Sequence, residues 1–250
     1  MSPEFLVTWL MVFLRSLGVI LQLPVVAGRP LPVTVRAGLC FALAAVLTPL
    51  VPAAAIPPGW LQFLLNAVRE MILGLLMGFV VRLVFGAVEM AGRIISSEVG
   101  LNAPPGMGVP EPANEPLASL ASTFAIVLFF LFGGHHGVLT ALAHSFRQAS
   151  AGRLEVNPQA AWTLMQDTAH LIELGLRIAA PFIAMNFLAT LAFAVLARAV
   201  PRTSVFIISL SAKALLGLGL LAASGGLIAR YLFVEFADLP LRMIEMLPAR

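Results

Sequence analysis

Charged and imidazole side chains are scarce in this chain, so the places where they gather are the first candidates for chemistry. Arg82, Glu89 and Arg93 stand seven and four residues apart, which sets them along one stripe of a helix, and Glu98 follows five residues later. Glu89 precedes Arg93 by four, the favourable order for an intrahelical ion pair. A stripe of this kind, buried among apolar helices, either lines a wet path or meets partner subunits, and it serves equally as a salt-bridge ladder within an assembly. His135 and His136 follow two glycines, with His144 eight residues beyond His136. Imidazoles invite zinc. Adjacent histidines on a helix point about 100° apart, however, and no glutamate stands among them as in H-E-x-x-H. Packing is the expected role. Ser96, Ser97 and Glu98 lack a G-x-S-x-G elbow and have no histidine in their segment to activate a serine. The two aspartates, Asp167 and Asp238, both fall near expected helix ends. We therefore expect no enzyme, no metal and no cofactor.

The elements that must position these residues follow from composition. The chain has 250 residues, of which 60% are hydrophobic and only 11% charged, with a net charge of +3. Its mean hydropathy is +0.99. A soluble domain carries about 25% charged residues, so this is an all-α integral membrane protein, read here as a single domain over 1–250. No basic cluster points to nucleic acid. The lone cysteine, Cys40, lies in an apolar run and reads as a small buried hydrophobe. The stretch after Glu4 has neither a basic start nor a small-residue cleavage site, so no cleavable signal peptide is expected.

Apolar stretches long enough to cross a bilayer run over 4–27, 33–55, 61–90, 117–148, 160–199 and 203–233, with prolines between them. Arg15, Arg69, Glu70, Arg82, Glu89, Arg177 and Lys213 sit inside these stretches. Each charge at mid-membrane costs about 2.5–3.5 kcal/mol even on the lenient insertion scale, so the helices carrying them need protein neighbours. Alternating spans would leave five arginines on each side, and the positive-inside rule then assigns no orientation. Gly74-x-x-x-Gly78, together with Gly86, Gly217 and Gly219, offers small faces for close helix packing.

Residues 89–116 break this pattern, opening as a charged helix and ending as a loop crowded with proline and glycine. Irregular backbone at membrane depth survives only when it is buried in protein or lines a wet cavity. The segment 96–116 is thus the first candidate for the working part.

The same segment carries a family resemblance. Ala87-Val88-Glu89-Met90-Ala91-Gly92, Ile94-Ile95 and the following Gly100 resemble the A-G-x-I-I…G stretch of the FliR family, the export-gate subunits of flagellar type III secretion, whose injectisome counterpart is SctT. Gly134-His135-His136 with Ser145-Phe146 resembles the family's G-H and S-F segments. Arg198, Pro201, Val205-Phe206 and Lys213 resemble its R-x-x-P, V-F and Lys positions. The order and length of the apolar segments match over nearly the whole chain. Departures are Glu98 in place of the usual Gln, Asn102-Ala103-Pro104-Pro105 in place of small and apolar residues, and Ser204 and Ser211 where Asn and Pro are common.

The resemblance implies tilted hairpins wound with FliP-like and FliQ-like subunits into a multisubunit spiral, on which an FlhB-like switch protein docks. It places the complex in the bacterial inner membrane, where it exports unfolded proteins, and G-H-H favours the flagellar member. It also implies that the loop projects into the pore and plugs it. Leu101, Met107 and Val109 would then seal, Gly100, Gly106 and Gly108 would let the backbone rearrange, and Pro104 and Pro105, directly after Asn102 and Ala103, would with Pro110, Pro112 and Pro116 keep the loop from becoming helix. The alternative from a different class is a stand-alone secondary transporter coupled through Arg82, Glu89 and Glu98. It would call for an inverted repeat or a matched pair of broken helices, and the sequence has neither.

Overall fold

The computed structural model describes residues 3–23, 32–100, 116–152, 159–199 and 205–247. Helices α1 (Pro3–Gln22) and α2 (Val33–Leu47) come first, and α2 runs into a 3-10 turn at Thr48–Leu50. Then follow α3 (Trp60–Val99), α4 (Pro116–Leu131), α5 (Gly134–Gln148), α6 (Ala160–Ala199) and α7 (Val205–Glu245). Among the described residues there is no strand. Among the described residues five helices are long and apolar enough to cross a membrane, or six if α4 and α5 together make one bent span. The all-α membrane reading holds.

Local chemistry explains the boundaries. Thr48 returns its hydroxyl to the Ala44 carbonyl at 2.6 Å, and Pro49, which has no N–H to donate, ends α2. Pro57, Pro58 and Gly59 precede α3, which then runs 40 residues without proline. The third apolar stretch therefore extends to Val99 rather than stopping at 90, and Ser96–Val99 are helical. At its other end the expected 96–116 loop also shortens, because Pro116 opens α4, where a missing N–H costs nothing. The 117–148 stretch is two helices. Gly133, at φ +73, caps the start of α5, and the chain bends by 66° there. The last helix passes Pro240 and reaches Glu245, well beyond 233.

The residues gather into two compact units. The first comprises 1–84, 129–169 and 235–250, and the second 85–128 and 170–234. In the first, α1 lies on the glycine face of α3. A methyl on Gly18 would stand 2.8 Å from the Gly74 Cα, and one on Gly78 2.8 Å from the Val19 carbonyl oxygen. Met11, Val12 and Met77 are fully buried in this unit. In the second, the C-terminal part of α3 supplies Ala87, Val88, Ala91 and Ile95 to the core. Small residues again permit close approach: a methyl on Gly92 would stand 2.7 Å from the Ala118 Cα, and one on Gly175 2.9 Å from the Ala87 carbonyl oxygen.

Candidate functional site

The C-terminal end of α3 is where the candidate residues and the unusual backbone coincide. Ala91 and Ile95 are buried, Gly92 seats α4 through Ala118 and Ala121, and Ile94 is half-buried. The A-G-x-I-I stretch is thus a packing face. The helix then stops at Gly100, whose φ of +78 is the left-handed conformation that favours glycine and whose N–H donates to the Ser97 carbonyl at 3.2 Å. Leu101, Asn102, Ala103, Pro104, Pro105, Gly106, Met107, Gly108 and Val109 lie outside the described residues.

Two neighbouring helices hold this exit. The half-buried Glu98 accepts a hydrogen bond from the Asn186 amide of α6 at 2.5 Å. Val99 is fully buried and fills the space that a side chain on Gly217 of α7 would occupy. Beside the same helices a cavity of about 360 Å³ is lined by Gly92, Ile95, Phe124, Ile178 and Leu221, among other apolar residues.

The charged stripe does not form as expected. Glu89 and Arg93 pair at 2.7 Å, but on an open face, with side chains 50% and 62% exposed. Arg82 is also exposed and donates to Gln22 at 3.1 Å. Glu98 is not part of the stripe: nine residues after Glu89 it stands about 180° around the helix, facing α6 instead. Within this chain the stripe is a surface feature, because the 3.6-residue period carries it away from the buried glycine and alanine face.

The buried ionic centre lies elsewhere, in the first unit. Arg15 and Glu70 are both completely buried and pair at 2.7 Å. The Arg15 guanidinium also donates to Ser145 Oγ at 3.0 Å and to the Ala149 carbonyl at 3.2 Å, and it lies 4.1 Å over the Phe146 ring. The second Glu70 oxygen accepts from the Gly152 N–H at 2.9 Å. This network joins α1, α3, α5 and the turn after α5. Sequence reasoning marked both charges as needing neighbours but had no signal joining residues 55 apart.

The remaining motif positions divide. Gly134 is buried against Phe129, and His135 packs among Phe130 at 5.2 Å and His136 at 4.1 Å, so the G-H-H segment builds the α4–α5 bend. Arg198 is exposed near the end of α6, and Lys213 is half-buried on α7. Phe206 lies in the first turn of α7, and Pro201 falls outside the described residues.

Comparison with known proteins bears on this arrangement. The family model described as bacterial export proteins, family 1, matches residues 6–239. The flagellar biosynthetic protein FliR of Escherichia coli K12 is 29% identical over 99% of this chain and 98% of its own length. The protein of the same name from Aquifex aeolicus is 27% identical, over 95% of this chain and 92% of its own length. Yop proteins translocation protein T of Yersinia pestis is 28% identical, over 83% and 82% respectively.

Proposed function

The chain belongs to the bacterial export proteins of family 1, the FliR family, and on that premise we propose that it is one subunit of a type III protein export gate in the bacterial inner membrane. It assembles with FliP-like and FliQ-like chains, receives an FlhB-like switch protein, and with them forms the channel through which unfolded proteins leave the cell. Alignment over 98% of the Escherichia coli FliR, against 82% of the Yersinia translocation protein, supports the flagellar apparatus. The segment after Gly100 is read as the plug of that channel, and the open Arg82, Glu89 and Arg93 as contacts for partner subunits.

The observation that carries this reading is the mismatch between helix length and bilayer thickness. Helices α6 and α7 have 40 and 41 residues, or about 60 Å at 1.5 Å per residue, against a hydrocarbon core of about 30 Å. Their exposed faces nevertheless stay apolar along much of that length, as at Trp162, Phe187, Val195, Leu215 and Phe233. Lipid covers only half of such a helix, and protein must cover the rest.

The test is expression of a tagged chain with and without its FliP-like and FliQ-like neighbours. Co-purification with both, and a heterogeneous product when it is made alone, is expected. A monodisperse folded monomer in detergent, unaffected by the other two chains, refutes the proposal.

A further inference from the structure

We propose that one anionic glycerophospholipid lies in a groove between α2 and α5, with an acyl chain at Leu39 and Leu43 and its headgroup at His144 and Arg147. Both helices belong to the first unit, and the groove is made of two joined pockets. The first, of about 210 Å³, is lined by Leu39 and Leu43 of α2, Val138 and Leu139 of α5, and Phe130, among others. The second, of about 280 Å³, has Leu47 and Leu50 on one side and Thr140, His144 and Arg147 on the other. Leu139 lines both, so the two are continuous.

Length, polarity and charge each select a lipid. The span Val33–Leu50 has 18 residues, about 27 Å at 1.5 Å per residue, and so matches a hydrocarbon core about 30 Å thick. Its Leu50 end therefore lies at a membrane surface, where α5 also ends, at Gln148. From Leu50 back to Leu39 is eleven residues, about 16 Å, which is the depth of one leaflet. A single acyl chain fits that length, whereas a partner helix crossing the bilayer would need a groove twice as long. The first pocket offers water no set of polar partners. His135, the one polar side chain on its wall among the described residues, stacks against Phe130 at 5.2 Å and His136 at 4.1 Å. Charge appears only at the surface end. His144 and Arg147 stand three residues apart, neighbours on one side of α5, and neither α5 nor residues 48–59 carry an Asp or Glu. The Thr140 hydroxyl is turned back to the His136 carbonyl at 2.7 Å, which leaves the imidazole and the guanidinium as the side-chain donors there. Arg147 also interacts within its own chain, and its five N–H donors serve more than one acceptor. Phosphate is the acceptor that a guanidinium at headgroup level meets in a bilayer.

The test is made in cells that express the full chain beside its partner subunits. Leu39, which is 47% exposed, is replaced by the photoreactive residue benzoylphenylalanine, and the chain is purified after irradiation and weighed by mass spectrometry. Adducts with the mass of a glycerophospholipid are expected. Their anionic class should be enriched about fivefold over its share of the extracted membrane, the equilibrium worth of one arginine beside anionic lipid. Arg147→Gln with His144→Gln should return the adducts to the membrane's own proportions, and Arg147→Lys, which keeps the charge, should hold the enrichment. Both side chains are exposed, so the yield of chain should not change. Each single Gln replacement is measured beside the double and should lose part of the enrichment, so the outcome does not hang on the folding of one variant. Lipid adducts in membrane proportions when His144 and Arg147 are intact overturn the proposal, as does an enrichment that survives loss of both cations. An adduct to another protein chain overturns it too, since a subunit then fills the groove. So does the absence of any lipid adduct, the result that a site for free phosphate alone would give.

Discussion

Arg15→Met should be among the most damaging single changes in the chain. The substitution roughly preserves side-chain volume and removes the guanidinium, so its effect is electrostatic and not a cavity. Glu70 is left completely buried with one bond, from the Gly152 N–H. Removing one partner of a buried ion pair costs about 3–5 kcal/mol, and loss of the contact over Phe146 adds about 0.5–2 kcal/mol. Against a typical stability of about 5–15 kcal/mol, the first unit should fall near or below its folding threshold. Arg15→Met with Glu70→Met should recover most of the loss, because an apolar replacement of both charges is often neutral. Recovery is incomplete: the Ala149 carbonyl loses its donor and the Gly152 N–H its acceptor, at about 1–3 kcal/mol for each such group left unsatisfied away from water. Ser145 still donates to the Leu142 carbonyl at 2.7 Å. The assay is thermal unfolding of the detergent-solubilised complex, followed by size-exclusion of a fluorescent fusion, for wild type, both single variants and the double. Arg15→Lys should fall between, because one ammonium cannot serve Glu70, Ser145 and Ala149 together. A wild-type melting profile for Arg15→Met, or a double variant no better than the singles, would show that the pair is not a coupled buried charge.

Three further outcomes follow from the same geometry. Gly74→Ala should abolish stable protein because its methyl would run into the Arg15 backbone, whereas Gly86→Ala, with nothing within 4 Å, should be neutral or slightly stabilising, as membrane abundance of the two variants will show. Glu89→Ala or Arg93→Ala should leave the chain's own stability within about 0.5 kcal/mol but lower the yield of the complex; equal loss in both would remove these residues from the subunit interface. Deleting 101–109, with partners present, should let small solutes through while assembly persists, since an apolar constriction excludes ions only while its side chains meet; an intact, tight gate refutes a plug in that stretch.

What the sequence made legible was whatever depends on neighbours along the chain. Apolar run length located every long helix, and the proline clusters marked most of their ends. Glu89 and Arg93 pair because a helix brings residues four apart together, and that could be read directly. Their exposure could not, since it depends on which side of α3 the glycine and alanine face takes, and that face is set by contacts with other helices. The extension of α3 through Ser96–Val99 was missed because the proline-rich run after Gly100 made its polar approach look like loop. A glycine in the left-handed region, not the polarity of the serines, ends the helix. The α4–α5 break was missed for the opposite reason: Phe132 and Gly133 interrupt neither hydropathy nor length, and only a positive φ shows the bend.

The distribution of charge links these observations to assembly. Arg15 and Glu70 neutralise each other in a fully buried centre built from residues of the first unit alone, so that core needs no partner chain to satisfy its ions. The exposed helix faces are treated differently. Glu89 with Arg93, and Glu173 with Arg177, are paired at four-residue spacing within their own helices, at 2.7 and 2.6 Å. Pairs of this kind add little stability in water, about 0–1 kcal/mol. Their effect is on what the face presents: a helix whose charges are already matched offers a nearly neutral, mostly apolar surface to lipid or to a neighbouring chain. When a partner covers such a face, each ion enters the low-dielectric interior with its counter-charge attached, and the desolvation penalty is partly offset before contact is made. On the subunit reading proposed above, the Glu89–Arg93 and Glu173–Arg177 pairs would ease such coverage, whereas Arg82, exposed and bonded among the described residues only to Gln22, would still call for an acceptor on the partner.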